Sequence, residues 1–305
     1  MLGKFFEALS RKLGETWLEI FCKPVFFFWA GGLLIWSLRG SNRQYLESGV
    51  TSLSLTSKMA TLVAAFLVVQ VSDSLARVIG LPLTRMLEGY WPRQIDWLRT
   101  LRVNRWNTIG RKSSDRFQDL QRKIAAGTAN FRDHQDLALI DRTIKSLPGD
   151  PSERMPTRFG NLMRSAERQP LEKYGLDAVI CWPRLWLLLP DGAKSELTQA
   201  RASVDDCVNA WFWSLLFSVW LIWSWWAVIV SLIGLLLAYG WAVRAAEVFR
   251  DLVESAFDVY RVGLYKALRW PLPRNASEEL LTGQALTQYL WRGSDDSSTV
   301  FVAPN

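Results

Sequence analysis

From Cys207 to Val243 the chain runs 37 residues without an Asp, Glu, Lys or Arg, and seven of them are tryptophan, at 211, 213, 220, 223, 225, 226 and 241. A helix rises about 1.5 Å per residue, so the stretch would reach roughly 55 Å, nearly two crossings of a hydrocarbon layer about 30 Å thick. It reads as a helical hairpin in a lipid bilayer. Ser224-Trp225-Trp226 is its natural turn, because indole rings favour the membrane-water interface and a short serine can satisfy freed backbone groups.

Half of the 305 residues are apolar, and they are bunched rather than spread. The formal charge of +7 gathers beside the apolar stretches, as expected of flanks that face the cytoplasm. The three cysteines, 22, 181 and 207, are odd in number and widely spaced, which suggests a reducing compartment and neither a disulfide framework nor a zinc cluster. Leu2, Phe5, Phe6, Leu9, Leu13, Trp17 and Ile20 recur at helical spacing opposite charged residues, without an A-x-A-type cleavage site. That amphipathic helix either lies along the membrane surface or packs on the protein's own cytoplasmic part.

Pro24 to Leu38 is an uncharged stretch bracketed by Lys23 and Arg39, and it reads as a short first span. A second starts near Met59, with Leu62 to Val71 as its centre. With the hairpin the expected count is about four transmembrane helices. Four blocks follow: 1–83 with the amphipathic helix and first pair, 84–206 as a polar helical region, 207–243 as the Trp-rich hairpin, and 244–305 as C-terminal helices and a loose tail. In the last block Ala245, Val248, Phe249, Leu252, Ala256, Phe257, Tyr260, Leu264 and Leu268 form one helix face, which Pro271 and Pro273 stop. Thr157 and Asn275 are expected helix caps. The expected fold is thus all-α and polytopic, in a bacterial inner membrane with both termini and residues 84–206 cytoplasmic.

Asp73 and Arg77 sit four apart near the end of the second span. Ionisable groups inside a span usually face protein or water, and this spacing lets them neutralise each other. Either they form an intramembrane polar pair, or the span ends near Ser72 and both reach the interface. Between Arg85 and Lys123 ten basic residues meet four acidic ones, interleaved with tryptophan. Arg85, Trp91, Arg93, Trp97, Arg99, Arg102, Arg105 and Trp106 follow a span directly, so they are expected to contact anionic lipid headgroups and not nucleic acid. His134 is the only histidine and has charged neighbours typical of a solvated helix face. No phosphate-binding loop, nucleophile elbow, metalloprotease or C-x-x-C signature is present, so neither catalysis nor a cofactor is expected. Gly31, Gly32, Gly234 and Gly240 offer small surfaces for close helix packing, from which self-association into a homo-oligomer is expected.

Met155-Pro-Thr-Arg-Phe-Gly-Asn-Leu-Met-Arg-Ser-Ala-Glu167, Tyr174-Gly-Leu-Asp-Ala-Val179 and Trp182-Pro-Arg-Leu-Trp186 carry a resemblance. Leu87-Glu-Gly-Tyr-Trp-Pro92, Phe257-Asp-Val-Tyr-Arg261, Leu264-Tyr265 and Leu268-Arg-Trp-Pro-Leu-Pro273 extend it. Over most of residues 80 to 273 the chain resembles a family of uncharacterised bacterial multi-pass membrane proteins. The resemblance implies a shared architecture and carries over no activity or catalytic residues. The residues therefore suggest a non-enzymatic membrane component for interaction or effector work. The rivals are a gated pore or permeability effector, with a possible role in defence and the Asp73 helix lining its path, and a membrane enzyme acting on lipid-linked substrates.

Overall fold

The computed structural model describes residues 23–38, 52–293 and 301–302. The amphipathic N-terminal segment and most of the 39–58 loop lie outside the described residues. Among those described, 84% are helical and none is in a strand. The helices are α1 (Pro24–Ser37), α2 (Leu55–Val78), α3 (Gly80–Glu88), α4 (Asp96–Ala125), α5 (Phe131–Lys145), α6 (Arg158–Tyr174), α7 (Ala178–Leu188), α8 (Asp191–Phe217), α9 (Trp226–Ala267) and α10 (Ala276–Arg292). The chain divides into two compact units, one formed by residues up to Thr84 with Asp205–Trp241, the other by Arg85–Val204 with Ala242 onward.

In the first unit, Pro24 starts α1 where its missing N–H costs nothing, and the Ser54 hydroxyl caps α2 by accepting the Ser57 N–H. Val25, Ala76 and Trp213 are the buried core, with Phe28, Val69, Phe212 and Leu216 packed around them. Aromatic rings tie it together: Phe28 lies 5.1 Å from Trp213 and 5.1 Å from Trp220, and Trp220 stacks on Trp223 at 5.0 Å. α8 passes into a 3-10 turn, Ser218–Ile222, and α9 begins at Trp226, so the reversal falls at Trp223–Trp225. The Ser231 hydroxyl donates to the Ser214 carbonyl at 2.7 Å across the resulting helix pair. A side chain at Gly234 would meet Ser214, one at Gly31 the Phe217 ring and one at Gly32 the Trp220 ring. Three of the four glycines expected to serve contacts between copies thus receive residues of their own chain, and Gly240 stays open. The close approach that a missing Cβ permits is spent inside the protomer.

Two helices, α2 and α9, are long and apolar enough to cross a membrane. The other two expected spans are less self-evident: α1 has 14 residues, and α8 is polar from Asp191 to Asp206 before its apolar end. α7 is apolar for a different reason, because Ala178, Cys181 and Leu185 belong to the core of the second unit.

In that second unit, α4 turns Val103, Trp106, Gly110, Ser113, Phe117, Leu120 and Ile124 inward, an alternation of three and four residues. That 3.5-residue repeat is the spacing of a coiled-coil seam, and Leu137, Ile140 and Ile144 face inward at matching steps on α5. The α4–α5 turn contains Gly127 at φ 69°, and Asn130 with Asp133 closes a reciprocal cap on α5. At Gly110 the seam admits the Arg154 guanidinium, which donates to the Trp106 and Asn107 carbonyls where a Cβ would stand 2.5 Å away.

The largest core gathers Leu176, Cys181, Leu185, Leu189, Leu197, Val253, Phe257, Leu264, Tyr265, Trp270 and Leu286. On α9 the expected apolar face is modified: Ala246, Val253 and Tyr265, outside it, are buried, and Val248, inside it, is 56% exposed. α10 crosses the end of α6 with almost no gap. A Cβ on Gly283 would lie 1.9 Å from the Tyr174 carbonyl oxygen, and Gly175, at φ 71°, faces the Leu280 carbonyl equally closely. Thr287 seals this crossing by donating to Gly175 O and accepting from Asp177 N. The expected loose tail is anchored at one point, because Phe301 packs on Trp270 and Tyr289 while Val302 and Arg269 exchange two hydrogen bonds.

Candidate functional site

Four turns of α2 bring no charge until Asp73, whose side chain is 5% exposed. Arg77 reaches it at 3.3 Å, as the i,i+4 spacing requires. A shorter contact comes from Lys23, at the start of α1, whose Nζ donates to the same Oδ2 at 2.9 Å. Next to it the Trp29 indole donates to the Ser72 hydroxyl at 3.2 Å, so polar contacts join α1 and α2 at two adjacent levels. Asp73 Oδ1 is buried and has no hydrogen-bond partner among the described residues. The expected pair is therefore a triad with an inside and an outside: the carboxylate is enclosed, while Arg77 is more than half exposed. A sequence separation of 50 residues hid Lys23.

Of the residues expected at lipid headgroups, Arg85, Arg93, Arg99, Arg102, Arg105 and Trp97 are exposed. Arg99 lies 3.7 Å from Asp96. Trp91 is half-buried and its indole donates to the Met86 carbonyl, while Trp106 turns into the α4 seam and donates to Pro156 O at 3.2 Å. Trp97 is thus the one expected ring that the fold leaves open, together with its α4 neighbour Leu101.

The segments 87–92 and 155–167 meet at Glu88. The Thr157 hydroxyl donates to the Leu87 carbonyl at 2.7 Å and accepts the Gly160 N–H, capping α6 while fastening it to α3. Asn161, fully buried, bonds Met155 N, Met155 O and Thr157 O through both ends of its amide. Gly160 is required here, since a Cβ would stand 1.9 Å from the Glu88 carbonyl oxygen. Burial, reinforced by the nearby Glu167 carboxylate, pushes the Glu88 carboxyl up from 4.5 to about 6, against the pull of Arg201, Arg85 and Arg164. The folded chain then holds a proton that the unfolded chain releases, so stability falls as pH rises from about 4.5 through about 6. A Glu88→Gln variant is expected to melt above the wild type at pH 8 and with it at pH 4. Equal melting at both pH values would remove the strain on this carboxylate.

α9 carries a file of charges along the flank of its core face, with Glu247 and Arg250 buried among them. Glu247, whose side chain is 11% exposed, accepts from Arg142 of α5 and from Arg158 of α6, the latter at 2.7 Å. Arg250 donates to the Lys145 carbonyl at 2.9 Å and to Asp251. Glu254 pairs with Lys173 and takes a bond from Gln169, Asp258 accepts from the Tyr174 hydroxyl at 2.5 Å, and Arg261 pairs with Glu279 of α10 at 2.7 Å while lying over the Tyr174 ring. Glu247, Arg250, Asp251, Glu254 and Asp258 line an open groove of about 700 Å³ together with Asp141, Arg142, Lys145 and Arg244. The apolar periodicity of this helix masks a second one in the sequence, the charged residues 247, 251, 254, 258 and 261, which also repeat at helical spacing.

Elsewhere, burial pushes the Cys181 thiol up to about 11, so it is protonated at neutral pH. His134 is exposed. Among the described residues no three His, Cys, Asp or Glu side chains gather as metal ligands would. Comparison of the chain with protein-family models, with curated proteins and with solved structures finds no match.

Proposed function

We propose that this chain is a non-enzymatic, multi-pass component of a bacterial inner membrane, crossing it about four times and presenting a helical unit to partners in the cytoplasm. The observation that carries the reading is the outer surface of the first unit. Leu62, Val63, Leu67, Val71 and Leu75 on α2, and Leu232, Ile233, Leu236 and Leu237 on α9, are each more than half exposed. Apolar surface of that extent is unfavourable in water by about 25 cal/mol per Å², and a lipid environment removes the penalty. The ion pairs and caps of the second unit suit water instead. Both termini and residues 84–206 lie in the cytoplasm in this reading, the anionic headgroups are a partner, and the same apolar surface supports self-association.

Alkaline carbonate should leave the protein in the membrane pellet. In intact cells an impermeant thiol probe should modify a single cysteine at position 45 and spare those at 134 and 300, in a background lacking the native cysteines. Modification of 134 or 300 with 45 spared would invert the topology. Opposite behaviour of 134 and 300 would make the tryptophan stretch a single crossing, and release by carbonate would end the membrane reading.

A further inference from the structure

α9 stops in a conformation that its sequence does not favour. Arg269 has φ 56°, the left-handed region that glycine enters without a steric penalty. The turn itself is a complete helix stop: the Trp270 N–H reaches the Tyr265 carbonyl at 2.8 Å and the Arg269 N–H the Lys266 carbonyl at 3.1 Å. A glycine would make the same turn, so the side chain at 269 needs another reason. Its Nε donates to the Val302 carbonyl at 3.1 Å, while its own carbonyl accepts the Val302 N–H at 2.9 Å. One residue thus takes both backbone groups of another, the kind of pairing by which an added strand is held.

The adjoining residue is read by its ring. Trp270 and Tyr289 lie 5.2 Å apart, and Phe301 meets both edge-on, at 6.2 Å and 75° to Trp270 and at 5.8 Å and 68° to Tyr289. Edge-to-face contact is a favoured geometry for such rings. Backbone pairing gives this site affinity for an extended segment, and the two-ring platform selects an aromatic residue within it. Phe301 is still 43% exposed and Val302 47%, so the segment is held on one side only. A contact this small persists because only residues 294–300 separate the segment from α10 and its Gly293 stop, and a short tether gives a local concentration on the order of millimolar.

We propose that Arg269, Trp270 and Tyr289 form an exchangeable docking site, whose occupant in an assembly is the Phe301-Val302 segment of a second copy. Every copy carries both the platform and the segment that fits it, so two copies can exchange segments about a two-fold axis and make each contact twice. The contacts are the same within a chain and between chains, and only the tether decides between them. Confinement of the copies to one bilayer raises their local concentration and favours exchange. The exchange rests on the self-association reading above, and supplies a contact between copies that Gly31, Gly32 and Gly234, filled within the protomer, do not.

The test uses the full chain in detergent, with two affinity tags on separate copies and a fluorescent peptide of residues 298–304 as probe. Phe301→Ala empties the platform without touching it, and Tyr289→Ala spoils the platform while leaving the segment. The peptide is expected to bind the Phe301→Ala chain at least tenfold more tightly than it binds the wild type or Tyr289→Ala. Adding Arg269→Gly to Phe301→Ala should weaken peptide binding severalfold without lowering the melting temperature, which an arginine serving only the turn would not do. Wild-type copies should co-purify, each variant alone should lose most of that association, and a mixture of Phe301→Ala with Tyr289→Ala should regain part of it. Equal peptide binding by the wild type and Phe301→Ala overturns the docking site. Peptide binding as expected, with co-purification unchanged in Phe301→Ala, overturns the second copy as occupant and leaves self-association to another surface. Failure of wild-type copies to co-purify at any protein concentration strikes the self-association reading and the exchange together.

Discussion

Lys23→Met is expected to destabilise the detergent-solubilised protein by about 3 kcal/mol, the cost typical of stripping a partner from a buried charge. Arg77→Met should cost less, at most about 1 kcal/mol, because more than half of that side chain already faces outward. The order follows from geometry: Lys23 lies 2.9 Å from Asp73 Oδ2 and Arg77 3.3 Å, and the carboxylate itself is enclosed. Asp73→Asn together with Lys23→Met should recover most of the loss, since a buried ion pair can be exchanged for neutral groups at little net cost. Melting curves of these three variants and of Asp73→Asn alone read the coupling directly. Small, additive effects would mean that water reaches the carboxylate, and would end its role as the fastening between α1 and α2.

The other large effect is expected at the α6–α10 crossing. Gly283→Val places two extra methyl groups and a Cβ where Tyr174 O stands 1.9 Å away, and the obstacle is backbone that has no rotamer to escape into. Overpacking of this kind costs roughly 3 kcal/mol, and relief requires α10 to lift from Gly175. Lifting exposes Leu286 and breaks the Thr287 bonds to Gly175 and Asp177. Limited proteolysis of the variant should therefore cut near 270–292 under conditions in which the wild type resists. Unchanged protection would show that the crossing can open without cost.

Local chemistry of this chain was legible where the signal lay within a few residues. Thr157 and Asn275 could be assigned as caps because each needs only a short polar side chain before a helical run, and their oxygens do accept the Gly160 and Glu278 N–H groups. The reversal in the tryptophan stretch could be placed within a residue, since two helices of such length must turn near the middle. What stayed hidden depends on distant partners. Lys23 looked like a flank charge, and nothing in its neighbours pointed to residue 73. Gly31 and Gly32 looked like surface for another copy, and only the folded chain brings Phe217 and Trp220 to them. Trp106 shared its basic surroundings with Trp97, yet it lies on the 3.5-residue seam and Trp97 does not. Arg142, Arg158 and Glu247 are spread over more than a hundred residues, so their meeting is a property of packing and could not be read from spacing.

Gly110 and Arg154 carry a consequence for descent. One guanidinium occupies the volume that any side chain at position 110 would need, and it holds the Trp106 and Asn107 carbonyls at the same time. A mutation at 110 alone expels the arginine, and a mutation at 154 alone leaves a notch in the seam. Among relatives of this chain a larger residue at 110 is therefore expected to accompany a shorter one at 154, because the flexible arginine end can step aside only by giving up these two carbonyls.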